Sequence, residues 1–220
     1  MKPPVEFFFD PISPFSYLAT TCIDRLAARH GREVVWRPML IGVTILKVMG
    51  LKPVPATPLK SVYYWHDLER LAAMFGVPLV RHGLKGINSL AANRAYLWLL
   101  DRDPAMAREL VKRLSEKLWT IRQDLTPPET VIAEAAALGA DGAALRAALE
   151  GEELKRRLTE AVDYAISRNV FGVPFFIADG EPFWGSDRMW MLDRWLADGR
   201  LPRRDGWLPG AADENDGRIS

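Results

Sequence analysis

The first forty residues constrain the fold more than any later stretch. Val5–Phe9 is an unbroken apolar run, bounded by Pro4 on one side and by Asp10 and Pro11 on the other. A run this short without polar alternation reads as a strand covered on both faces. A helix start follows at once, because Ser13 precedes Pro14. Proline at the first helical position lacks the N–H that would be left unpaired there, and serine is a favoured cap. Phe15, Leu18, Ala19, Cys22, Ile23, Leu26 and Ala27 then recur at three- and four-residue spacing, which predicts one helix running to a stop at Gly31. Residues 34–36 read as a second strand. Strand, helix and strand with short connections favour a parallel pair joined by a right-handed crossover.

From Thr57 to Asn169 the pattern becomes helical, with segments predicted near residues 59–75, 89–100, 105–119, 129–138 and 142–168. Pro104, Pro127, Pro128, Gly139 and Gly151 divide them. Residues 174–178 are again apolar, Asp179-Gly180 is a hairpin turn signal, residues 181–184 can return, and residues 187–197 are helical up to Gly199. The expected architecture is α/β. Residues 1–56 and 170–202 form a discontinuous first domain, residues 57–169 an all-helical insertion, and residues 203–220 a poorly ordered tail.

Composition narrows the function. With 29 Lys and Arg against 28 Asp and Glu, the chain has no basic field to hold a polyanion, so nucleic acid is not an expected partner. The single cysteine, Cys22, cannot make an intrachain disulfide or a Cys-x-x-Cys site. No apolar stretch approaches the roughly 20 residues of a membrane span, and the N-terminus lacks the regions of a secretory signal. Together these predict a cytoplasmic protein away from the membrane. His30, His66 and His82 lack metal-ligand spacing, so no metal site is expected.

Three separated motifs then carry a resemblance: FFFDPISPFSYLA at residues 7–19, FGVPFF at 171–176 and WGSDR at 184–188. In this order they resemble the 2-hydroxychromene-2-carboxylate isomerases and the kappa-class glutathione transferases, of the DsbA-like branch of the thioredoxin-like fold. The likeness runs from about Val5 to Leu201. It implies a thioredoxin-like domain split by the helical insertion, glutathione as cofactor and a homodimer.

The position where a disulfide oxidoreductase carries its thiols reads Ser13-Pro14-Phe15-Ser16, and two serines cannot exchange disulfides. A serine there can donate its hydroxyl to a thiolate brought by a ligand, beside a helix terminus that favours an anion. Ser13 is therefore the expected catalytic residue, although a plain N-cap role fits the dipeptide equally. The resemblance implies that Val173 and a cis Pro174 pair with glutathione as an added strand, that Ser186 and Asp187 receive its γ-glutamyl end, and that Lys60 meets a carboxylate. Ser186 and Asp187 are also placed to cap the last helix. One departure is visible, Leu51 after Gly50 where the family often has Asn.

Other residues have simpler readings. Cys22 lies on the apolar stripe and is expected in the core. Asn88 and Ser89 are expected to cap a helix, and Arg94 is a solvated or cleft-facing charge. Trp65, Trp98 and Trp119 could wall a flat substrate or simply pack. The resemblance implies interconversion of 2-hydroxychromene-2-carboxylate and an open-chain benzylidenepyruvate, a step in breaking down fused-ring aromatics. Two alternatives remain open: a kappa-like transferase that consumes glutathione, and a non-catalytic peptide-binding module on the same fold.

Overall fold

The computed structural model describes residues 2–201, so the tail at 203–220 lies outside the described residues. Four strands form one sheet: β1 (Val5–Phe9), β2 (Val34–Pro38), β3 (Phe175–Ala178) and β4 (Glu181–Trp184), in the order β2-β1-β3-β4. β1 runs parallel to β2 with Phe7 opposite Trp36, and antiparallel to β3 with Phe7 opposite Phe176. β3 and β4 form the expected hairpin, and Asp179 and Gly180 both take positive φ at its turn.

The unbroken apolar run of β1 is explained by the two cores it serves. Phe7 and Phe9 enter a large cluster with Trp36, Tyr96 and Phe176, whereas Phe8 enters a smaller one with Met39, Ala165, Val173, Phe175 and Ile177. Alternate residues of a strand face opposite sides, so a strand buried on both sides has no polar position. Phe7 stacks on Phe176 with ring centroids 5.3 Å apart and meets Trp36 edge-on at 4.9 Å. Phe7, Phe8 and Phe9 are fully buried, each contributing roughly 2–3 kcal/mol by area.

The predicted single helix after β1 is two helices, α1 (Pro14–Thr20) and α2 (Ile23–Arg29). Thr20 and Thr21 turn their hydroxyls back onto the carbonyls of Tyr17 and Leu18, both at 2.7 Å, and Cys22 leaves helical geometry at φ −140°. Such back-bonding competes with the helical ladder, and two adjacent threonines place it in consecutive positions. The apolar stripe continues across the break. Cys22 is half-buried with its Sγ 3.9 Å from Met189 Sδ, and burial pushes its thiol pKa up, as expected of a packing cysteine.

Between β2 and β3 the chain is helical. A π-helical turn (Val43–Val48) and a short 3₁₀ turn (Val54–Ala56), neither predicted, precede α3 (Lys60–Phe75). Then come α4 (Leu90–Leu100), α5 (Pro104–Ile121), α6 (Pro128–Ala137), α7 (Gly142–Glu150) and α8 (Glu152–Ser167). The stretch read as 142–168 breaks at Gly151, which is extended at ψ 159°. α4 is tied to the sheet by Tyr96, whose hydroxyl donates to the Trp36 carbonyl at 2.9 Å. After β4, a 3₁₀ turn (Ser186–Arg188) leads into α9 (Met189–Asp198).

Candidate active site

The site is assembled where the C-terminal end of β1 turns into α1. Asp10 ends the strand, its carbonyl accepts the Ser13 N–H at 2.9 Å, and Ser13 is extended at φ −83°, ψ 123°. Ser13 Oγ accepts the Ser16 N–H at 3.2 Å, so the predicted capping role is real. The same hydroxyl donates to the Val173 carbonyl at 3.4 Å. Capping uses a lone pair and leaves the O–H proton free to point elsewhere, so the two readings of Ser13 are compatible. α1 is only seven residues long, which puts the weight of any anion stabilisation on local donors.

The Val173-Pro174 peptide bond is cis, and Val173 stands beside Ser13. The Pro174 carbonyl accepts the Gly185 N–H at 2.9 Å, which brings the turn of Ser186 and Asp187 to the same corner. Gly185 has φ +99°, and a Cβ there would collide with Asp187 Oδ1, so this turn favours glycine. Ser13, Val173, Pro174, Ser186 and Asp187 are thus gathered around one corner of the molecule.

Ser186 and Asp187 do not cap the last helix as predicted. The intervening 3₁₀ turn starts from Gly185, and α9 begins after Arg188 without a side-chain cap. Asp187, with 45% of its side chain exposed, pairs with Arg188. Ser186 is 2% exposed and its Oγ is buried without a hydrogen-bond partner among the described residues. Neither group is therefore used for capping.

Lys60 is not brought into contact with this group. It is exposed at the start of α3, and among the described residues its side chain makes no hydrogen bond or ion pair. One turn later Tyr64 packs edge-on against Phe15 with centroids 5.4 Å apart, so α3 flanks the start of α1. Leu51 is 56% exposed in the preceding linker. Trp119 is fully buried and Trp98 is 7% exposed, so these two are packing residues, with Trp65 against Trp119 at 6.4 Å.

Sequence reasoning missed a buried polar group behind Ser13. Asp10 is fully buried and accepts the N–H groups of Ile12 at 3.3 Å and Ile41 at 3.0 Å. Burial raises its pKa to about 6 against the opposing hydrogen bonds of Ser89, Ile41, Ile12 and Asn93. Ser89, the N-cap residue of α4, makes no side-chain capping bond; Asn88 Oδ1 instead accepts the Leu90 N–H at 3.1 Å. The signal in the sequence is a pair of polar residues, Ser89 and Asn93, four apart on an otherwise apolar helix face.

Comparison with known proteins gives a consistent set of similarities. Residues 4–197 match the DsbA-like thioredoxin domain family. The chain is 31% identical to a 2-hydroxychromene-2-carboxylate isomerase of Pseudomonas putida, over 93% of this chain and 98% of the relative. It is 29% identical to the human glutathione S-transferase kappa 1, over 88% of this chain and 91% of the relative. A solved 2-hydroxychromene-2-carboxylate isomerase superposes with a TM-score of 0.78 at 29% identity, covering 88% of this chain and 94% of that one.

Proposed function

Because the chain belongs to the DsbA-like thioredoxin family, in the branch of the 2-hydroxychromene-2-carboxylate isomerases and kappa-class glutathione transferases, and is an enzyme of that branch, we propose that it is a glutathione-dependent isomerase. Its substrate would be 2-hydroxychromene-2-carboxylate or a similar aromatic acid, converted to the trans open-chain keto acid. The observation that carries this reading is the Ser13 hydroxyl at 3.4 Å from the Val173 carbonyl, at the corner where the Pro174 carbonyl holds the turn of Ser186 and Asp187 through the Gly185 N–H.

The residues present fit glutathione. Val173 offers backbone for an extended peptide, Ser186 a buried hydroxyl without a partner among the described residues, and Asp187 a half-exposed carboxylate for an ammonium group. Lys60 is free to reach a carboxylate from the rim. When bound, glutathione supplies a thiol whose reversible addition to a conjugated double bond allows that bond to rotate before elimination restores the thiol. Ser13 would stabilise the ionised thiol by turning its O–H from the Val173 carbonyl towards the sulfur while still capping Ser16. Lowering a thiol pKa of about 8.5 by ~2 units takes roughly 2.7 kcal/mol, within reach of a buried charge-assisted hydrogen bond aided by local dipoles.

The similarity to kappa-class transferases supports a second reading, conjugation of glutathione to an electrophile at the same site. The test follows keto-acid absorbance with and without glutathione, and assays total free thiol at the end. Isomerisation requires glutathione and leaves the thiol unchanged, whereas conjugation consumes one thiol per product. Failure to turn over either class of substrate would leave the peptide-binding module.

A further inference from the structure

Asp10 has no place in the chemistry above, yet it is hydrogen-bonded through both its side chain and its main chain. Its carboxylate accepts the N–H of Ile12, inside the turn that delivers Ser13, and the N–H of Ile41, in the linker that follows β2. Ser89 and Asn93 of α4 lie beside the same carboxylate and act to lower its pKa, while the Asn93 amide itself donates to the Met39 carbonyl at 3.1 Å and to Ser89 Oγ at 3.3 Å. The Asp10 main chain enters the network as well. The Asp10 carbonyl holds the Ser13 N–H at 2.9 Å, the Asp10 N–H points at Ser16 Oγ at 3.5 Å, and the Ser16 N–H is held by Ser13 Oγ at 3.2 Å. One buried residue thus joins β1, the Ser13 turn and the linker to α3, beside the first turn of α4.

We infer that Asp10 is the positioning residue for Ser13: its ionised carboxylate fixes the Pro11-Ile12 turn, and taking up a proton there loosens the turn and the Ser13 hydroxyl together. An ionised carboxylate accepts at both oxygens, while the protonated acid must turn one of them into a donor. Ile12 N–H and Ile41 N–H sit on different oxygens, so protonation at either one weakens the acceptor on which one of these amides depends.

The surroundings isolate this titration. α1 carries no charged residue, and Tyr17 on it directs its hydroxyl to the Pro78 carbonyl. The linker residues Met39, Leu40, Ile41 and Gly42 are uncharged, and β2 contributes Arg37, which pairs with Glu6. β3 has no ionisable side chain. α4 has one charge, Arg94, next to Asn93, and one other titratable group, Tyr96, which is committed to Trp36. Burial is the largest influence on Asp10, and neutral hydrogen-bond donors oppose it.

The inference rests on Ser13 being the residue that meets the thiol, and its test begins without any ligand. Backbone amide resonances of the free protein are followed by NMR from pH 4.5 to 8 in the parent, in Asp10→Asn and in Ser89→Ala. The Ser16 amide reports the position of Ser13 Oγ, and the Ile12 and Ile41 amides report the carboxylate. In the parent, all three should shift together with one midpoint near 6. Asp10→Asn should abolish the shared transition, and Ser89→Ala, which keeps the acid but removes a neighbouring hydroxyl that lowers its pKa, should move the transition to higher pH. The acid limb of the isomerisation pH profile should move up with it in Ser89→Ala.

A transition at Ile12 and Ile41 that leaves Ser16 untouched would overturn the inference, as would a Ser16 shift that persists in Asp10→Asn. If Asp10→Asn fails to fold, the displacement in Ser89→Ala decides alone. Lack of glutathione binding by the parent would count against the proposed function and leave the amide result standing.

Discussion

Ser13 Oγ and the Val173 carbonyl oxygen meet at 3.4 Å across 160 residues of sequence. The contact joins the N-terminal strand-helix unit to the loop before β3, and with it the residue proposed to hold the thiolate to the backbone proposed to hold the rest of glutathione.

Ser186→Ala should separate folding from binding. Among the described residues this buried hydroxyl has no hydrogen-bond partner, so the variant should be as stable as the parent or slightly more so. If that hydroxyl meets the ligand, glutathione affinity should fall by roughly 1 kcal/mol, about fivefold. Calorimetric titration with paired urea denaturation reads both numbers. Equal affinity in the two proteins would remove Ser186 from the site.

Gly185→Ala should disturb the same corner from the backbone. The added Cβ would collide with Asp187 Oδ1 at a φ of +99° that alanine rarely adopts. The carboxylate is the end of a side chain and can move, so the protein should still fold, losing about 1–2 kcal/mol. Glutathione binding should weaken more than stability does. A variant that binds as the parent does would detach Asp187 from ligand recognition.

Tyr96→Phe tests how α4 is seated on the sheet. The hydroxyl donates to the Trp36 carbonyl at 2.9 Å and the ring is 1% exposed, so its removal leaves a buried carbonyl without that partner. The expected cost is about 1–2 kcal/mol in denaturant unfolding.

Asp10 makes stability depend on pH in a direction unusual for a carboxylate. With its pKa raised from 3.8 to about 6, the folded state binds the proton more tightly than the unfolded chain. Its contribution to global stability is complete below 3.8 and is lost as pH rises through 6, amounting to roughly 3 kcal/mol, because relief from burying a charge outweighs the local weakening of the Ile12 and Ile41 hydrogen bonds on protonation. Relative to Asp10→Asn, the parent should therefore lose about that much stability between pH 4 and 7. Curves of unfolding free energy that run parallel over this range would contradict the buried acid.

Much of this was legible in the chain itself. Periodicity at residues 5–29 and 174–198 predicts the strands and helices of the sheet region, because apolar faces are dictated by burial. The helix break at Cys22 was hidden because the apolar stripe continues across it, while the cause lies in the hydroxyls of Thr20 and Thr21. The free Ser186 hydroxyl was hidden for a related reason. Ser-Asp before a helix looks like a cap, and only the added 3₁₀ turn displaces it. The network of Asp10 with Ser89 and Asn93 joins positions about 80 residues apart, and no local pattern reports such a contact.

The central claim, that Ser13 holds a thiolate, is tested most directly by the ultraviolet absorbance of bound glutathione across pH, in the parent and in Ser13→Ala. The account predicts a bound thiol pKa well below about 8.5 in the parent and a return towards that value in the variant. An unshifted thiol in the parent, or an equally depressed one in Ser13→Ala, would contradict it.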